Sequence, residues 1–162
     1  MKYYIKRVLA PGSMVFKIDD CTGSGIYTVE AVFPVSAYKP NRAYRYNING
    51  FSDAVVKITR LPIPNGSAYS VYCPQKSFQL VLTGGCKIYG TNLYVRGDVF
   101  SLNYDFADSS TNSAVAAVTC SGAVAGAVEL DVFDERRRME CISAAVCLNL
   151  AQKVDKLSVQ PV

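Results

Sequence analysis

The sequence predicts a mainly β protein: a closed antiparallel barrel of roughly twelve strands enclosing a hydrophobic C-terminal α-helix. Three observations lead there. Apolar and polar residues alternate with a period of two along most of the chain. Clusters of Gly, Pro, Asn and Ser punctuate these runs with turn chemistry. One segment near the end, MECISAAVCLNLAQ at 139–152, is apolar almost all round, so it must be buried in protein or membrane.

The elements follow in order. KYYIKRV (2–8) opens as a strand. In MVFKIDD (14–20), Met14, Phe16 and Ile18 alternate with polar residues. In GIYTVEAVF (25–33), Tyr27, Val29, Ala31 and Phe33 share a face, and the turn residues of DDCTGSG make the two runs a hairpin. Strand-like runs continue at 43–50, 54–61, 68–73, 77–82, 86–90, 93–100, 101–106, 114–121 and 127–133, with a weaker one at KLSVQ (156–160). PIPNGS marks a tight loop, because two prolines cannot both serve a central ladder. The segments KRVLAPGS and TRLPIPNGS look alike, each a strand end followed by a Pro/Gly/Ser turn. No linker or low-complexity tract interrupts the chain, so residues 1–162 read as a single domain.

The helix runs over 136–153. Ala, Leu, Met and Glu favour it and no Gly or Pro interrupts it. Asp134 is the expected N-cap, and Asp134 with Glu135 suits the positive end of the helix dipole. The apolar run from Met139 to Ala151, thirteen residues interrupted by polar side chains, is shorter than the roughly 20 residues a membrane span needs, which favours burial in protein. An eight-stranded barrel is filled by its own side chains, whereas a wider can holds a central helix. Counting about eleven to thirteen strands therefore threads the helix through the sheet. Ala144, Ala145 and Ala151 let strands approach it. Asn149 requires a hydrogen-bond partner there, expected to be strand backbone.

Composition bounds the function classes. Half of the 162 residues are hydrophobic and 19% are charged, so the chain fills a core. Net charge is +4. Residues 1–60 carry nine Lys/Arg (Lys2, Lys6, Arg7, Lys17, Lys39, Arg42, Arg45, Lys57, Arg60) against four acids (Asp19, Asp20, Glu30, Asp53), and the remainder is nearly balanced. That asymmetry attracts anions but is weak for a nucleic-acid binder. The start, MKYYIKRVLAPG, has no continuous apolar h-region, and six scattered Cys read as reduced core fillers. The expectation is a cytoplasmic protein, with room for a peripheral place at a membrane.

Catalytic and metal signatures are missing. There is no His, hence no Ser-His-Asp or Cys-His arrangement and no His-ligated metal. No CxxC pair suggests zinc. TGSG at 22–25 lacks the Gly-Lys-Ser/Thr of a phosphate loop and precedes a strand. The acids of ELDVFDE are not spaced as a calcium loop. No cofactor is expected. Two basic clusters remain. Arg136, Arg137 and Arg138 sit in the first turn of the helix, either as a solvated turn neutralised by Asp134, Glu135 and Glu140 or as an anion site at the barrel mouth. Lys39, Arg42 and Arg45 lie in AYKPNRAYRY, interleaved with Tyr38, Tyr44 and Tyr46. They form either a basic exterior with tyrosines inward or a site for a lipid headgroup or a nucleic-acid strand.

KYYIKRVLAPGSMVFKIDDCTGSGIYTVEAVF, LYVRGDVFSLNYDFAD and ELDVFDERRRMECISAAVCLNLAQ resemble, in turn, the opening strands, the central extended pair and the last strand with core helix of the LURP-one-related family. That family is part of the tubby C-terminal-like superfamily, with the phospholipid scramblases. The resemblance spans nearly the whole chain. It implies a twelve-stranded antiparallel barrel around a hydrophobic C-terminal helix, and contact with anionic phospholipid headgroups through exposed Lys and Arg. The expected function is a non-enzymatic binding or scaffold domain. The alternative is a protein–protein interaction module without a lipid ligand; an enzyme and a nucleic-acid partner are disfavoured.

Overall fold

The computed structural model describes residues 1–33, 44–51 and 54–155. Twelve strands form one antiparallel sheet: β1 (Lys2–Arg7), β2 (Met14–Asp19), β3 (Gly25–Val32), β4 (Arg45–Asn49), β5 (Ala54–Leu61), β6 (Ser67–Tyr72), β7 (Phe78–Leu82), β8 (Cys86–Tyr89), β9 (Leu93–Asp98), β10 (Asn103–Asp108), β11 (Ala114–Cys120) and β12 (Ala127–Val132). The run expected at 101–106 begins two residues later, because Leu102 takes a left-handed turn conformation (φ 54°). The expectation at 156–160 lies outside the described residues.

Neighbouring strands are consecutive in the chain, apart from the pair β1·β12, where Tyr3 sits opposite Leu130 and Ile5 opposite Val128. The sheet is thus an up-and-down meander curled round until its first and last strands meet. It is nearly closed. β8 and β9 lie side by side but exchange no ladder. Inward residues follow the pleat from strand to strand: Tyr46, Ile58, Val71 and Phe78 form one register row, and Tyr69 and Leu80 part of the next. All six are buried.

The chain enters the bore after β12. Asp134 caps the turn, its Oδ1 accepting the Arg136 N–H at 3.2 Å. A 3-10 turn (Glu135–Arg137) leads into α1 (Arg138–Asn149), and a π-helical turn (Leu150–Val154) ends it. Every residue from Glu140 to Ala151 is buried. The predicted span is therefore matched within one residue at each end, and an apolar surface on every side is what this setting requires. Burying Ile142, Val146, Leu148 and Leu150 contributes on the order of 1.5–3 kcal/mol each. Among the described residues no helix is long and apolar enough to cross a membrane.

Two details depart from expectation. Asn149 does not bond strand backbone; its Nδ2 donates to the Ala145 carbonyl one turn back at 2.8 Å, because the amide reaches its own helix more readily than the surrounding wall. Glu140 is buried as well, for a reason that lies in the charge network below. The six cysteines are free thiols; Cys73, Cys141 and Cys147 are buried core fillers, whereas Cys21 and Cys120 are exposed, and burial pushes Cys86 and Cys141 up to about 12.

Candidate functional site

In an up-and-down barrel alternate loops share an end, so the molecule has two ends built from different sequence. The end where α1 begins gathers Met1 and the turns after β2, β6, β8, β10 and β12. Here lie Arg136, Arg137 and Arg138, and each has its own partners. Arg137 reaches across the bore. Its Nη1 donates to Asp108 Oδ2 at 2.9 Å, and its Nη2 to Glu140 Oε2 at 2.7 Å and Asn92 Oδ1 at 2.6 Å. The Thr91 hydroxyl donates to the same Glu140 oxygen at 2.7 Å. Hydrogen bonds from Ser110, then the Arg137 charge, hold the Asp108 carboxyl below its usual range. Arg136 is 90% exposed and forks onto Asp134. Arg138 is held protonated chiefly by the Tyr3 hydroxyl, which itself donates to Glu135 at 2.9 Å.

A cleft of about 480 Å³ opens beside this network, lined by Lys76, Thr91, Asn92 and Asp108 among others. Its guanidiniums are matched by carboxylates of this same chain. Of the two readings of the arginine cluster, the neutralised turn describes the geometry. The partners named from sequence, Asp134, Glu135 and Glu140, are joined by Asp108 of β10, which no local spacing could indicate.

The opposite end collects the loops after β1, β3, β5, β7, β9 and β11, around the C-terminus of the helix. These loops hold no carboxylate of their own: VLAPGS (8–13), PIPNG (62–66), TGG (83–85), VFSL (99–102) and SGAVAG (121–126), with FPVSAYKPNRAY (33–44) joining β3 to β4. They expose apolar side chains, as Met1, Phe51 and Phe133 are exposed at the other end. Leu9 is 87% and Phe100 62% exposed, and Phe33 and Tyr44 are also exposed. A cleft of about 630 Å³ lies here between the Pro62–Ser67 turn, Leu82, Thr83, Phe100 and the helix end at Ala151 and Gln152. The turn is shaped by Asn65 in the left-handed region (φ 58°) and by Gly66, where a Cβ would come within 2.5 Å of the Leu82 carbonyl oxygen. Gln152 Nε2 ties the helix to this rim by donating to the Val99 carbonyl at 3.0 Å.

The cations here are arranged differently. Arg45 lies over the Tyr44 ring at 5.5 Å, and Arg7 over Phe16 at 5.8 Å. The expectation that both tyrosines flanking Arg45 face inward holds only for Tyr46, which is buried; Tyr44 precedes β4 and stays out, under the guanidinium. Lys153 is partly buried on the last helical turn. Burial, and secondarily the Arg7 charge, hold its ammonium below the usual lysine range. Among the described residues, neither Arg7, Arg45 nor Lys153 forms an ion pair with a carboxylate. Lys39 and Arg42 lie outside the described residues, in the segment between Phe33 and Tyr44.

Two acids at this end, Asp98 and Asp155, are engaged within the chain. Asp98 accepts the backbone N–H of Phe100 at 2.9 Å and of Ser101 at 3.3 Å, closing a turn. Asp155 is buried. Its Oδ1 accepts the Tyr46 hydroxyl at 2.5 Å, its Oδ2 accepts the Tyr69 hydroxyl, and Arg60 approaches within 3.6 Å. Burial, reinforced by the carboxylate, drives the Tyr69 hydroxyl far above its usual range, so it stays a donor.

The structure therefore places the two predicted basic clusters at opposite ends and does not combine them. Sequence reasoning missed Leu9, Phe100, Arg60, Lys153 and Asp155. For Leu9 and Phe100 the signal was partial: the loops after β1, β5, β7, β9 and β11 are all free of acids, but so are those after β6, β8 and β10.

No family model matches the chain, and no curated protein matches it. Its fold is similar to the X-ray structure of a protein from Arabidopsis thaliana, with a TM-score of 0.58 and 12% sequence identity over 91% of each chain. The likeness is one of fold.

Proposed function

We propose that this chain is a non-enzymatic binding or scaffold domain of the LURP-one-related, tubby C-terminal-like kind, acting in the cytoplasm. It docks on anionic phospholipid headgroups with the end of the barrel where the helix terminates. One observation carries the reading: exposed Leu9, Phe33, Tyr44 and Phe100 share that end with Arg7, Arg45 and Lys153, while Asp98 and Asp155 are engaged within the chain. Apolar side chains that enter the headgroup layer and cations that meet anionic lipid are the two terms of peripheral membrane binding. The helix fills the bore, so the surface of the barrel is where a ligand meets it.

Vesicle flotation at physiological salt tests this. Recovery is expected with phosphatidylcholine vesicles containing phosphatidylserine and not with phosphatidylcholine alone. Replacing Lys39, Arg42 and Arg45 together by Ala removes about 1 kcal/mol per cation. Leu9→Ser with Phe100→Ser weakens recovery independently of salt. Equal recovery on neutral and anionic vesicles overturns the proposal.

A further inference from the structure

A different surface carries a second kind of binding. The outward residues of β4 to β8 form two register rows, Arg45–Thr59–Ser70–Gln79–Tyr89 and Asn47–Lys57–Tyr72, with Lys87 opposite Val81 beside them. Tyr72, Tyr89, Lys57, Lys87 and Gln79 are exposed. From Arg45 to Gly97 the sequence has one acid, Asp53, outside the described residues. Along the register, the first outward carboxylate beyond β4 is Glu30 on β3, opposite Asn47.

The other wall shows why this matters. On β9–β12 and β1, Asp105 pairs with Arg96 at 2.8 Å, Glu129 with Lys2 at 3.6 Å and Asp108 with Arg137 at 2.9 Å. There each of these carboxylates has a cation beside it. Among the described residues, Lys57 and Lys87 have no carboxylate partner. A wall of unanswered cations beside two exposed tyrosines is complementary to an acidic ligand with apolar or aromatic content.

We infer that the outer face of β5–β8 docks an extended acidic segment of a partner protein. Size favours a segment over a domain. Four strands span roughly 15 Å across and their exposed lengths roughly 15–20 Å, well below the roughly 800 Å² per partner of a standard interface. Spacing favours a polypeptide over a nucleic-acid strand. Tyr72 and Tyr89 are on β6 and β8, with β7 between, so they stand roughly 10 Å apart at least. Successive bases lie about 3.4 Å apart, so one stack cannot use both rings. Tyr72 beside Lys57, and Tyr89 two residues from Lys87 on the same face, instead form two anchors, each with its own cation.

The test is fluorescence anisotropy with a labelled peptide of alternating Glu and Val, against a Lys–Val counterpart and an oligothymidine strand. The intact chain binds the Glu–Val peptide best. Lys57→Glu with Lys87→Glu weakens that binding by roughly tenfold or more, and Tyr72→Ser with Tyr89→Ser by roughly fivefold. All four side chains are exposed, so unchanged thermal unfolding is the control for fold. Leu9→Ser with Phe100→Ser leaves peptide affinity unchanged, and the two wall variants leave vesicle recovery unchanged, which separates this site from the lipid-facing end. Equal affinity for the two peptides, tighter binding of oligothymidine, or undiminished binding by either wall variant overturns the inference.

Discussion

The two ends of the barrel both hold arginines and lysines among the described residues and differ in what surrounds them. Where the helix starts, Arg136 and Arg137 are answered by Asp134, Asp108 and Glu140. Where it ends, Arg7, Arg45 and Lys153 lie over aromatic rings or half-buried beside one another, among apolar loops. Compensation, and not the count of charges, therefore distinguishes the end whose charges stabilise the fold from the end proposed to meet an anion. A matched, partly buried pair resists losing one member and gains little from a ligand. An unmatched cation does the reverse.

The largest expected effect comes from breaking the matched end. Arg137→Met strands Glu140 in the bore and costs roughly 3 kcal/mol, read as a lower urea midpoint. Adding Glu140→Leu recovers most of the loss, because no buried charge is then left alone. A fully additive double variant would show that the pair is not coupled. Next is Asp155→Asn, which weakens the charge-assisted bonds from Tyr46 and Tyr69 and the Arg60 pair, at about 2 kcal/mol. Vesicle recovery should fall only through that lost stability, so an equal fall at temperatures far below unfolding would give Asp155 a direct part in binding.

Lys153→Met sharpens the contrast, since it should move stability and binding in opposite directions. The folded state holds the Lys153 pKa below the unfolded value, so the charged form opposes folding at neutral pH. That penalty is present in full below the folded pKa and fades as pH rises from there to the ordinary lysine range. Lys153→Met therefore raises the thermal midpoint at pH 7 and flattens its rise on the alkaline side, while weakening recovery on anionic vesicles. Intact protein should lose part of its vesicle binding on the approach to that range, earlier than an ordinary lysine predicts. A variant that lost stability at neutral pH would contradict the assignment. The smallest effect belongs to Arg136→Ala: its side chain is in water and its partner Asp134 also caps the helix through backbone, so the urea midpoint and vesicle recovery should both stay at their original values. A clear loss of vesicle binding there would shift the lipid-facing role to the other end.

Much of this architecture was legible along the chain. Alternation set the strands, cleanly in Phe78, Leu80 and Leu82, because a pleat sends successive side chains to opposite faces; in β2 a bulge between Met14 and Phe16 turns Val15 inward beside Phe16. The all-round apolar surface from Cys141 to Leu150 demanded enclosure, and Asp134 announced where the helix starts. These are local properties or near-local ones, carried by residues a few positions apart. The candidate site was read less well. Arg45 was found, but as a strand residue flanked by inward tyrosines, whereas Tyr44 lies outside the strand and under its guanidinium.

The sequence by itself determined the class of fold, the strand spans and the burial of the helix, since periodicity and composition fix which faces must leave water. Only the tertiary structure decided which charges are neutralised and which loops share an end. Arg137 meets Asp108 29 residues away, Tyr46 meets Asp155 109 residues away, and Leu9 comes to the same rim as Phe100 through the closure of β1 on β12. Coulomb interactions and hydrogen bonds act through space over a few ångströms, and the sequence distances between these partners are set by how the sheet curls, which no local pattern records.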